Sequence, residues 1–70
     1  MQTTRFNIKA RLATLGKTSR DVIRELNERG ISCSPSFFST SINIGTFPKN
    51  IQVCEMANKI ISEWEAEYGS

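Results

Sequence analysis

Apolar residues recur along this 70-residue chain with a helical period, in four blocks separated by short polar or glycine-bearing links. In the first block, residues 4–15, Phe6, Ile8, Leu12 and Leu15 fall on one side of a predicted helix, and Gly16 supplies a left-handed stop. Thr18 fits the next N-cap, with Asp21 three residues on as a capping box built with the shorter acid. Val22, Ile23 and Leu26 form the inner stripe of that second helix. Arg20, Arg24, Glu25 and Glu28 face water, and Gly30 ends it. Residues 31–33 read as an extended connector with Ile31 turned inward.

The third block is short and unusual. Ser34 can cap a helix, and Pro35 suits its first position because the missing N–H costs nothing there. Phe38 and Ile42, four apart, anchor one face to a core, while Ser36, Phe37 and Thr40 are expected to project outward. Asn43 and Gly45 close this helix, and the turn over 44–47 is expected to tuck Phe47 into the core. Pro48 opens a last helix over about 49–68, striped by Ile51, Cys54, Ala57, Ile60, Ile61, Trp64 and Tyr68. Four helices with short links predict one compact all-α domain over 1–70, with its core over about 5–66.

Hydrophobic residues make up 39% of the chain, so burial must be efficient or shared with a second copy. Net charge is only +2, which by itself barely argues for nucleic acid. Its distribution says more: Arg5, Lys9, Arg11 and Lys17 stand in a front segment without acids, whereas Glu55, Glu63, Glu65 and Glu67 crowd the tail around Lys59. The front could meet phosphate; the tail would repel it. Cys33 and Cys54 are too few for a disulfide scaffold and read as small hydrophobes in a reduced, cytoplasmic setting. No secretion signal and no membrane span is expected. The chain has no histidine, no zinc spacing and no glycine-rich phosphate loop, so neither enzymatic activity nor a metal or other cofactor is expected. Asp21 with Glu25 is read as surface charge.

Two stretches carry a family resemblance. The run Ile8-Lys9-Ala10-Arg11-Leu12-Ala13-Thr14-Leu15-Gly16-Lys17-Thr18-Ser19-Arg20-Asp21-Val22 follows an opening pattern I-K-x-R-L-x-x-L-G-x-T-Q-R-E-L, and residues 34–43 follow S-P-S-Y-L-S-R-x-I-N. With Phe47-Pro48-Lys49 ahead of the final helix, the chain resembles the Cro/repressor-type (XRE-like) helix-turn-helix family. It is similar in particular to small regulators of phages and mobile elements of Gram-positive bacteria. The chain departs from that pattern at Ser19, Ile23, Thr40 and Ile44, and its second helix is longer.

The resemblance implies a lambda-repressor-like domain that lays its third helix, about 35–43, in the major groove of double-stranded DNA. Ser36, Phe37 and Thr40 would then contact bases, with Phe37 against a thymine methyl. Lys17, Ser19, Arg20, Asn43 and Lys49 would contact phosphates. A homodimer on two half-sites would combine two weak affinities. The alternative is the same fold used as a protein-binding module (an anti-repressor, an antitoxin-like chain or an inhibitor of a host protein), with Phe37 as its anchor. Either way, the side of the third helix opposite Phe38 must stay open to solvent, and for DNA it must be flanked by cations. Trp64 is expected to close the core, and Tyr68 to be buried only by a partner.

Overall fold

Each helix starts and stops where the sequence gives the backbone a hydrogen-bonding partner. In the computed structural model, which describes residues 4–68, a 3-10 turn, Arg5–Asn7, leads into α1, Ile8–Leu15. It is followed by α2, Ser19–Glu28, α3, Pro35–Asn43, and α4, Pro48–Tyr68. The outermost residues of the predicted 1–70 domain lie outside those described. Gly16 and Gly30 take φ of 70° and 85°, which lets Lys17 and Ile31 donate back to the Leu12 and Leu26 carbonyls, both at 2.9 Å. The Thr18–Asp21 capping box is formed, with Asp21 Oδ2 accepting the Thr18 N–H at 2.9 Å. Ser34 Oγ accepts the Phe37 N–H at 3.2 Å, as the cap of α3 requires.

The fold is all-α, with four helices and, among the described residues, no strand. α4 packs against each of α1, α2 and α3. Around it are buried Ile8 and Leu12 of α1, Val22 and Leu26 of α2, and Phe38 and Ile42 of α3. α4 itself contributes Val53, Cys54, Ala57, Ile60 and Ile61, spaced three and four apart. Full burial of each large apolar side chain contributes about 1.5–3 kcal/mol, which is how a lean composition holds a fold. The radius of gyration, 11.3 Å, matches the roughly 11 Å expected for a compact chain of this length.

Three aromatic or aliphatic positions outside α3 differ from expectation. Phe6 sits at φ 56° in the 3-10 turn, ahead of the helix rather than in it, and is half exposed. Phe47 is 76% exposed instead of core: Pro48 at the first helical position makes Phe47 the N-cap, and the space beneath the turn is filled by Asn50. Ile51 lies about 120° around α4 from the middle of the buried stripe and is exposed, its expected place being taken by Val53. Tyr68 is in phase with the buried stripe and, in the single chain, is exposed.

Two polar ties fix the helices to one another. Asn50 is buried; its Oδ1 accepts the Phe47 N–H at 3.2 Å and its Nδ2 donates to Ser41 Oγ at 3.0 Å. Ser41 in turn donates to the Phe37 carbonyl at 2.8 Å, so one amide caps α4 and holds α3. Arg11 clamps α1 to α4 with a two-pronged pair to Glu65, 3.0 and 2.6 Å, and further bonds to Asn58, Ser62 and the Phe6 carbonyl.

Asn50→Ala should destabilise the fold by about 1–3 kcal/mol, because it strips the buried Ser41 hydroxyl and the Phe47 N–H of a partner. Gly45→Ala should act in the same direction, since its Cβ would land against the Asn50 side chain. Thermal unfolding checks both, at roughly 4–8 °C per kcal/mol.

Acid should also weaken the fold. The Thr18 backbone N–H holds the Asp21 carboxyl below its usual value, and the hydrogen bond from Arg11 does the same for Glu65. A depressed folded pKa contributes stability that is complete above the ordinary carboxylate range and is lost as pH falls through the folded value. The unfolding midpoint should therefore drop between about pH 5 and pH 2. Asp21→Asn should flatten that drop.

Candidate functional site

Turning 100° per residue, α3 places Phe38, Ser41 and Ile42 on one side, and these are its buried residues. The opposite side carries Ser36, Ser39, Thr40 and Asn43, all exposed. The surface opposite Phe38 is thus open to solvent, and α4 holds α3 from behind. Phe37 is the exception to the expected outward set. It falls on the flank of α3, half-buried against the core, and Lys49 Nζ lies 5.8 Å from its ring centroid. An edge held in this way is a poor candidate for inserting toward a base or for anchoring a partner.

On the other flank an open cleft separates α3 from the start of α2. Lys9, Thr18, Ser19 and Arg20 line one wall, and Pro35 and Ser39 the other. The first N–H groups of α2 have no partners within that helix, and its positive dipole end faces this region, though the Asp21 carboxylate already takes up the Thr18 N–H. Among the described residues, Lys9, Arg20 and Lys49 form no ion pair. The face of α3 is therefore bordered by unneutralised cations on both sides.

The remaining cations of the front segment are engaged elsewhere. Arg5 donates to the Ser41 carbonyl at 3.3 Å, and Arg11 is taken up by Glu65, Asn58 and Ser62 of α4. Lys17, expected at a phosphate, lies over Trp64 with its Nζ 4.9 Å from the ring centroid. That contact draws it to the C-terminal end of α4, away from α3. Arg29 pairs with Glu25 at 3.1 Å and with Glu63 at 2.8 Å. The acidic tail is thus partly neutralised by Arg11 and Arg29 behind the open face.

The structure brings Ser36, Thr40, Asn43, Ser19, Arg20 and Lys49 to one region and leaves Lys17 out of it. It adds two residues that sequence reasoning missed, Lys9 and Ser39. Ser39 was accessible from the 3.6-residue period, which sets it beside Ser36 and Asn43. Lys9 was not separable from Arg5 and Arg11 until the direction of α1 was known. Both cysteines are free, and burial pushes each thiol up, keeping it protonated at neutral pH. Among the described residues no helix is long and apolar enough to cross a membrane. No protein-family model, curated protein or solved structure matches the chain.

Trp64 is the single tryptophan and reports the displaced lysine directly. Lys17→Met should shift its fluorescence emission and cost about 0.5–1 kcal/mol in thermal unfolding, the size of an exposed cation–π contact.

Proposed function

We propose that the chain is a sequence-specific DNA-binding transcriptional regulator of the phage or mobile-element type, built as a single helix-turn-helix domain of the XRE-like kind and acting in the cytoplasm. The supporting observation is the exposed polar face of α3 bordered by Lys9 and Arg20 on one side and Lys49 on the other, with the acids Glu63 and Glu65 paired behind it. In this reading α3 enters the major groove, Ser36 and Thr40 meet base edges, and Ser19, Arg20, Asn43, Lys49 and Lys9 meet phosphates. Three cations without acidic partners make a weak contact on their own. Two copies on half-sites one helical turn apart supply the rest.

Affinity for duplex DNA should fall with salt, with a log–log slope of about −3 for each bound chain, one unit of roughly −0.9 for each of Lys9, Arg20 and Lys49. Lys9→Ala or Arg20→Ala should weaken binding to all sequences alike and reduce that slope by about 1. A mobility-shift series from low to physiological salt measures this, and a flat series would end the proposal.

One observation favours a second reading, a protein-binding module. Ile44 and Phe47 are 79% and 76% exposed, so a partner would anchor there and not on the half-buried Phe37. A Phe47→Ser variant that loses a captured partner, beside a Ser36→Ala/Thr40→Ala variant with unaltered DNA behaviour, would favour this reading.

A further inference from the structure

The proposed DNA interface contains a chemical asymmetry that bears on which bases it reads. α3 has no charged side chain, so it lacks the arginine or lysine that pairs with the two acceptors of guanine. Its exposed polar groups are also not equivalent. Thr40 Oγ1 donates to the Ser36 carbonyl at 3.1 Å, one turn back. With its proton committed to the helix, Thr40 offers the outside only oxygen lone pairs and a methyl group. Asn43 is held similarly: Nδ2 donates to the Ser39 carbonyl at 2.8 Å, leaving Oδ1 and one N–H. Ser36 stands too near the start of α3 for such a bond, because four residues back lies Ser32, outside the helix. Its hydroxyl remains free to donate or accept.

Resting on the DNA-binding reading above, we infer that Thr40 is the specificity-determining residue of α3, reading an A·T pair as a fixed hydrogen-bond acceptor plus a methyl group. In the major groove the only base donors are the amino groups of adenine and cytosine. An A·T pair sets adenine's amino group and thymine's methyl along one edge, matching both parts of the Thr40 side chain. A C·G pair offers the amino group without the methyl. Guanine presents only acceptors, which face the Thr40 oxygen with like polarity. Ser36, with its mobile proton, tolerates several bases at its own position.

The test begins by selecting bound sequences from random duplex with the unaltered chain and with Thr40→Val, which keeps the shape and the methyl group but replaces the hydroxyl by a second methyl. The position whose preference changes between the two is the one Thr40 reads, and A·T is expected there. At that position, replacing adenine by purine, which lacks the amino group, should weaken binding of the unaltered chain about fivefold to tenfold. Replacing thymine by uracil should weaken it by about threefold. Thr40→Val should be indifferent to the loss of the amino group, and Thr40→Ser to the loss of the methyl. Thr40 is exposed, so neither change disturbs the core, and thermal unfolding verifies this. Guanine selected at the Thr40 position, or an unchanged response of Thr40→Val to purine, overturns the inference while leaving DNA binding intact. Absence of binding to any duplex at low salt overturns the DNA-binding reading and the inference with it.

Discussion

The arrangement of the polar face depends on one buried amide. Asn50 lies at the third position of α4, where a side chain can reach back to the N-cap, and its other end reaches Ser41 in the last turn of α3. Rotation of α3 about its own axis would break the bond from Asn50 to Ser41 and leave a buried amide N–H unpaired. Hydrophobic contacts of Phe38 and Ile42 hold α3 against the core but are non-directional. The Asn50 link adds a directional restraint to the side that Phe38 and Ile42 already bury. Gly45, packed against that amide with no room for a Cβ, belongs to the same device.

Charge is sorted by the same packing. A net charge of +2 conceals two different surfaces. Arg11 and Arg29 reach α4 and pair with Glu65 and Glu63, so two of the tail's acids serve as structural partners. Lys9, Arg20 and Lys49, carried on three different helices, converge around α3 without acidic partners. Pairing of exposed charges is worth little in stability. Its consequence here is spatial: with Glu63 and Glu65 held against Arg29 and Arg11, Lys9, Arg20 and Lys49 border the hydroxyl groups of α3 without acidic partners.

Much of the architecture was legible because it rests on local rules. The caps at Thr18 and Ser34, the stops at Gly16 and Gly30, and the proline starts of α3 and α4 each concern a few neighbouring residues, and the structure has them where the sequence put them. Misreadings fell where a residue's fate depends on something distant. Phe47 looked like core because it is large and apolar, but the interior position at that turn belongs to Asn50. Phe37 reads as outward from the sequence, yet the flank it occupies lies against the core beneath Lys49.

For the candidate site, sequence alone determined the chemistry: a short helix with no charge, a row of hydroxyl groups, and anchors at Phe38 and Ile42. Those features follow from composition and a 100° turn per residue, which are properties of the chain itself. Only the tertiary structure decided which cations accompany that helix. The side chains of Arg5, Lys9, Arg11 and Lys17 look alike in one segment, but Arg5 is bonded to the backbone of α3, Arg11 and Lys17 are held against α4, and Lys9 is left unpaired beside α3. A long flexible side chain takes its role from what lies within its reach, and that is fixed only when the helices have docked.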